Sequence, residues 1–251
     1  MMLLDVDGVG RDFAGLRALD NVSFGVAKGS ITSLIGPNGA GKTTLINIIT
    51  GVLAPSRGDV RFRDLSTVRI GTTRVAGLGI RRTFQTVRLF PGLTVLENLM
   101  IGRFCNEVRQ RWWQALLPLR IGDAARRRQA QDLLDRFDLM RHADTIATEL
   151  PYGTQRRVEI VRALAGEPAL VLLDEPAAGM NEAETEHLRE DIRAVRKAGV
   201  TVLLVEHDMD LVMRVSDRVV VLDFGRKIAE GSPEEVQRDA AVISSYLGYG
   251  I

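Results

Sequence analysis

Three glycines, a lysine and two threonines stand together in the stretch Gly36, Pro37, Asn38, Gly39, Ala40, Gly41, Lys42, Thr43, Thr44. Its first eight positions match G-x-x-x-x-G-K-[ST], a spacing suited to holding phosphate. Without β-carbons at Gly36, Gly39 and Gly41 the backbone can bend sharply and turn its N–H groups inward. The apolar run "SITSLI" precedes the loop, and "TTLINIIT" follows it with helical spacing. A helix beginning there adds the positive end of its dipole. Lys42 is then placed for the β- and γ-phosphates of a nucleotide, and the Thr43 hydroxyl for Mg²⁺. A glycine-rich turn with a surface lysine is the plain alternative, and the strand-then-helix context argues against it.

A second set of reactive groups lies far along the chain. "ALVLLDEP" ends a hydrophobic run in Asp174 and Glu175. A carboxylate at the end of a buried strand beside a phosphate loop can hold Mg²⁺, a role that falls to Asp174. Glu175 faces the other side of the strand end and is placed to orient or deprotonate an attacking water. "LLVEHD" sets His207 just past another buried run. A lone histidine at a strand end is commonly structural. Parallel strands converge at the end where ligands bind, so a hydrogen bond to the γ-phosphate is the reading preferred here.

The elements that must position these groups are legible as patterns. "SITSLIG", "ALVLLDE", "VTVLLVEH" and "RVVVLDFG" are nearly continuous apolar runs, as in parallel strands covered on both faces. Helical patterns separate the last three. Asn181 with Glu184 can close a capping box before "EAETEHLREDIRAVRKA", and Gly199 can end that helix. Ser232, Pro233 and Glu235 repeat the start signal. Strand–helix alternation of this kind predicts an α/β parallel sheet. Residues 1–30 and 58–63 alternate instead and predict antiparallel strands. Residues 95–165 carry almost no strand signal. Leu133, Leu134 and Phe137 fall on one side of a helical pattern there. Trp112, Trp113, Leu116 and Leu117, among many arginines, fit either a partner surface or a folded-back amphipathic helix.

Composition narrows the classes. A chain of 251 residues can bury a substantial core as one large α/β domain or two smaller ones. The net charge of +1 gives no support for a nucleic-acid or membrane-surface role. The lone Cys105 excludes an internal disulfide and a cysteine-rich zinc cluster. The N-terminus lacks a signal-peptide pattern, and no apolar run reaches about 18 residues. A membrane role would therefore need other chains.

Together these motifs resemble the nucleotide-binding subunits of ATP-binding-cassette (ABC) transporters over nearly the whole chain. The resemblance implies an α/β fold: a P-loop NTPase, RecA-like core with an antiparallel β subdomain and an inserted α-helical subdomain. Residues 1–85 would carry the first part of the core, 86–163 the helical subdomain, and 164–251 the remainder of a single ATPase domain. "RTFQTVRLFPGLTVLENL" supplies a glutamine loop, and in the family that glutamine, here Gln85, ligates Mg²⁺ and links core to helical subdomain. Phe13 sits where the family stacks adenine on a ring, an interaction worth about 1–3 kcal/mol. The family signature L-S-G-G-Q corresponds to Leu150, Pro151, Tyr152, Gly153, Thr154 and Gln155. Pro151 removes the serine hydroxyl, with Thr154 or backbone N–H groups as substitutes, while Gly153 keeps the close-approach position. In the family the signature of one subunit covers ATP held by another, so two chains meet head to tail. Where the family's next loop usually ends in Asp, this chain has Asn181. An amide there keeps the hydrogen bonding but loses the charge; that role and simple helix capping are both open.

"RTFQTVRLF", "YGTQRR", "DEPAAGMN", "EHDMDLVM" and "VISSYLGYG" look most like the ATP-binding subunits of branched-chain amino acid importers. The resemblance implies ATP and Mg²⁺ as cofactors, membrane permeases and a second ATP-binding subunit as partners, and a periplasmic solute-binding protein indirectly, with no nucleic acid. It places the chain peripherally on the cytoplasmic face of the inner membrane. A lipopolysaccharide-export ATPase, a non-transport cassette and a nucleotide-binding regulator without turnover are the rival readings. Long coiled coils or a second cassette, usual in non-transport members, are not evident.

Overall fold

The computed structural model describes residues 1–110 and 123–247. Two sheets organise the core among them. The first contains β1 (Met2–Phe13), β2 (Leu16–Ala27), β4 (Arg57–Phe62) and β5 (Leu65–Ser66) in the order β2-β1-β4-β5, paired antiparallel. The alternating runs of residues 1–30 and 58–63 are the cause: Leu4, Val6 and Val60 point inward, while Asp7 and Arg61 stay exposed.

The second sheet has the order β10-β9-β3-β8-β7-β6. Strands β3 (Ile31–Ile35), β6 (Ile80–Arg82), β7 (Leu170–Asp174), β8 (Thr201–Val205) and β9 (Arg218–Asp223) run parallel, and β10 (Arg226–Gly231) closes the edge antiparallel. Every residue of β3, β7 and β8 is buried, as continuous apolar runs require. Successive side chains serve opposite faces. Leu170, Leu172, Leu203 and Val205 pack with helix α1 (Lys42–Ile49) and the antiparallel sheet. Val171, Leu173, Val202 and Leu204 pack with helices α6 (Glu182–Lys197) and α7 (Met209–Val215), and their cluster continues into the helical region.

That region contains α3 (Val95–Gln110), α4 (Asp123–Arg136) and α5 (Tyr152–Ala165), held by Leu96, Leu99, Leu134, Phe137, Val158 and Val161. The stretch with Trp112, Trp113, Leu116 and Leu117 lies outside the described residues. Both anticipated capping boxes are present, Asn181 with Glu184 and Ser232 with Glu235. Gly199 follows α6 at φ 82°, a left-handed position that ends the helix. The short strand β6 has no periodic signal of its own, yet it forms beside β7 and delivers the chain to Gln85. Among the described residues no helix is long and apolar enough to cross a membrane.

Candidate functional site

The phosphate-type loop leaves the C-terminal end of β3 and enters α1. Gly36 sits at φ 149° and Gly41 at φ 100°. A β-carbon on Gly36 would lie 2.1 Å from the Leu222 carbonyl oxygen, and one on Gly41 2.8 Å from that of Ala18. Both positions therefore need glycine for space as well as for φ. At Gly39, φ 81°, a β-carbon would meet nothing within 4 Å, so that glycine faces open space. Gly41 caps α1 without any side-chain hydrogen bond, so no side chain of the cap satisfies the first-turn amides. Such amides, at the positive end of a helix dipole, attract an anion.

Lys42 is buried, and its Nζ donates to the carbonyls of Gly36 at 2.6 Å and Pro37 at 3.0 Å. Desolvation holds its pKa below the ordinary lysine value, while the negative fields of Glu175 and Asp174 pull it back up. A cation turned onto its own loop is poised to swap carbonyls for phosphate oxygens. The adjacent cavity measures about 570 Å³, and its wall includes Phe13, Arg17, residues 38–44, Gln85, Glu175 and Phe224. That volume falls within the roughly 300–1,000 Å³ of small-molecule sites. The Arg11 guanidinium stacks 4.5 Å from the centroid of the Phe13 ring, which keeps 38% exposure.

Asp174 ends β7 just behind this wall. Its Oδ2 accepts from Arg82 Nη2 at 2.7 Å, and its buried Oδ1 has no hydrogen-bond partner. An orphaned carboxylate oxygen is costly unless something positive meets it. Asp174, the Thr43 hydroxyl and the Gln85 amide all offer oxygen donors, the chemistry that suits Mg²⁺; Thr43 and Gln85 line the cavity, and Asp174 lies next to Glu175, which does. Glu175 follows at φ 47°, a strained position for a non-glycine residue, with its N–H fixed on the Val205 carbonyl at 2.8 Å. The turn carries the Glu175 side chain to the cavity while Asp174 stays turned toward Arg82.

The remaining anticipated residues lie elsewhere. His207 has a side chain 62% exposed, beside Glu206 and off the cavity wall. Tyr152, Gly153, Thr154 and Gln155 form the first turn of α5, capped by Pro151 without a side-chain hydrogen bond. They are likewise absent from the cavity wall. Gln155 donates to the carbonyls of Thr148 and Leu150, bracing the turn before the helix. Gly153 makes its close approach to Glu184, whose carboxylate oxygen would lie 2.3 Å from an added β-carbon. Asn181 accepts the Glu184 N–H at 3.0 Å, so its observed contact is the helix cap.

Three charged residues escaped the sequence reading. Arg82 bridges Asp174 and the Asn47 amide oxygen. Arg156 is fully buried and paired with Glu159 at 2.9 Å. Glu206 is fully buried too, and its carboxylate accepts from the N–H groups of Ala177, His207 and Asp208. Burial pushes the Glu206 carboxyl up, against those same hydrogen bonds. The available signals were weak: an i,i+3 charge pair on an apolar helix face for Arg156, and a charge closing an apolar run for Glu206.

Fold and site together define an α/β nucleotide-binding protein of the phosphate-loop class. The family model described as ABC transporter matches residues 19–178, and one described as branched-chain amino acid ATP-binding cassette transporter matches residues 226–250. The chain is 42% identical over 253 aligned residues to the high-affinity branched-chain amino acid transport ATP-binding protein LivG of Salmonella typhimurium, covering 98% of each. It is 38% identical to BraF of Pseudomonas aeruginosa, again over 98% of each. Among solved structures, a nucleotide-free ATP-binding cassette from an ABC transporter superposes with a TM-score of 0.85 at 33% identity, covering 98% of this chain and 99% of that one. A dimeric cassette in a post-hydrolysis state, bound to ADP and Pi, gives a TM-score of 0.76 at 26% identity, covering 92% and 98%. The chain belongs to the ABC transporter family. The family and the fold class expected from the motifs both hold.

Proposed function

We propose that this chain is the ATP-binding and ATP-hydrolysing subunit of an importer for branched-chain amino acids. The observation that carries the reading is the single cavity on which the glycine loop, Lys42, Thr43, Gln85 and Glu175 converge. The solute class follows from the likeness to LivG and BraF along the whole chain.

In this reading the loop amides and Lys42 hold the triphosphate, and Phe13 stacks the base. Thr43, Gln85 and Asp174 hold Mg²⁺, which neutralises phosphate charge when bound. Glu175 orients and deprotonates the attacking water, and His207 swings onto the γ-phosphate from its exposed position. Tyr152, Gly153, Thr154 and Gln155 cover the nucleotide of a second subunit, the same chain or a paralogue. Neither α1 nor α5 has a side-chain cap, so two positive helix ends would face one polyphosphate from opposite subunits. Permeases in the membrane receive the motion of the helical region, with this chain peripheral on the cytoplasmic face and a periplasmic binding protein delivering the solute.

The test is reconstitution with candidate permeases in vesicles. ATP-driven uptake of labelled leucine, isoleucine or valine is the expected result. ATP-driven uptake of an unrelated solute, or copurification with lipid-export proteins instead, would overturn the solute assignment.

A further inference from the structure

Arg156 is fully buried on the second turn of α5, four residues after Tyr152 opens that helix. Its guanidinium gathers three backbone carbonyls from two separate segments. Nη1 donates to Phe84 O, and Nη2 donates to both Gln85 O and Glu175 O, the last at 3.2 Å. Nη1 also pairs with Glu159, whose other oxygen accepts the Arg88 N–H at 3.0 Å. One helix therefore grips residues 84, 85 and 88 of the glutamine loop and the backbone of Glu175 through a single planar ion pair. Gln85 and Glu175 both line the cavity from outside the glycine loop, and both have backbone carbonyls held by this one guanidinium.

We propose that Arg156 is a positioning residue that fixes Gln85 and Glu175 relative to each other and makes both depend on the seating of α5. The guanidinium is rigid and planar, so its donors cannot follow two carbonyls that move apart. Glu159 keeps the guanidinium charge compensated inside the protein, where an unpaired ion would not be tolerated. A shift of α5 must then carry the glutamine loop and the Glu175 turn together, or release both. The signature turn begins the same helix, so contact made at Tyr152–Gln155 is felt at Gln85 and Glu175 without any intervening loop. This assignment rests on the hydrolytic reading above for its kinetic consequences, but its structural half does not.

Two variants and two measurements test it. Arg156→Lys keeps the charge and loses the planar fork. Arg156→Met combined with Glu159→Gln removes both buried charges and leaves Gln an acceptor for the Arg88 N–H. Hydrogen–deuterium exchange on the nucleotide-free full chain comes first, since it needs no turnover. Amides at 84–88 and at 175–178 should both exchange faster in each folded variant. Steady-state hydrolysis comes second. kcat should fall by about 100-fold, the scale of a small misplacement of reacting groups, with the Kd for MgATP within about threefold of the parent. Arg156→Lys should recover part of that loss. Faster exchange in only one segment, or in neither, overturns the proposal. So does a kcat within about threefold of the parent in a folded variant, or a loss of MgATP affinity that accounts for the whole loss of rate. If the parent itself hydrolyses nothing, the exchange result still decides the structural half, and the hydrolytic reading fails separately.

Discussion

Replacing Arg82 by Met should destabilise the nucleotide-free protein through Asp174 rather than through lost packing. Arg82 and Asp174 pair at 2.7 Å with side chains 10% and 3% exposed. Removing one member of a buried pair leaves an uncompensated charge and costs about 3–5 kcal/mol. The damage is concentrated here because Asp174 Oδ1 already has no partner, so the carboxylate would keep none of its charge-assisted bonds. Loss of the 2.7 Å bond to Asn47 adds about 1 kcal/mol. With a urea slope of about 2–3 kcal/mol/M, the combined loss should lower the unfolding midpoint by about 1.3–3 M. Arg82→Met with Asp174→Asn should recover most of the loss, since a neutral amide no longer needs a counter-ion. Mg²⁺ with ATP should stabilise Arg82→Met more than it stabilises the parent, because the metal then meets a carboxylate with no competing guanidinium. The assay is urea unfolding followed by circular dichroism, with and without MgATP. A single-variant loss under about 0.5 kcal/mol, or equal losses in the single and double variants, would refute the reasoning.

Further outcomes follow from the same geometry. Gly36→Ala should cost about 2–6 kcal/mol, from a strained φ and a β-carbon forced against the Leu222 carbonyl. Gly39→Ala should cost only about 1–2 kcal/mol, because only φ opposes it; equal midpoints for the two in urea would contradict this contrast. Glu175→Gln should bind MgATP and hydrolyse it about 10²–10⁴-fold more slowly, and phosphate release at the parental rate would remove Glu175 as the base. Burial raises the Glu206 pKa above its ordinary 4.5. The native state therefore keeps a proton that the unfolded chain has already released. Stability should fall as pH rises from that ordinary value through the raised one. Glu206→Gln should flatten the decline, and identical pH slopes for the two proteins would sink the assignment.

Continuous apolar runs announced β3, β7, β8 and β9, because strands covered on both faces leave no choice of residue. The glycine loop was equally plain, since Gly36 and Gly41 answer steric demands that no other residue meets. Asp174 and Glu175 were legible as the end of such a run. What the pattern could not carry was the partner of each charge. Arg82 looks like any basic residue after a short apolar turn until β6 sets it beside β7. Arg156 reads as one of two adjacent arginines, and only packing separates it, fully buried, from Arg157, which bonds Asp191 at 2.6 Å. The cap at Asn181 was legible because its partner is three residues away, whereas Gln85 and Glu175 are joined through a helix remote from both in sequence.

The claim on which the account depends is that the loop from Gly36 to Thr44 holds a nucleotide's phosphates and that Lys42 supplies the charge. Isothermal calorimetry of the full chain with ATP and Mg²⁺ tests it most directly, alongside Lys42→Ala. Saturable heat for the parent, with affinity falling by at least about tenfold in the variant as expected for a lost charged hydrogen bond, is the predicted result. No heat with the parent, or equal affinity in the two proteins, would contradict it.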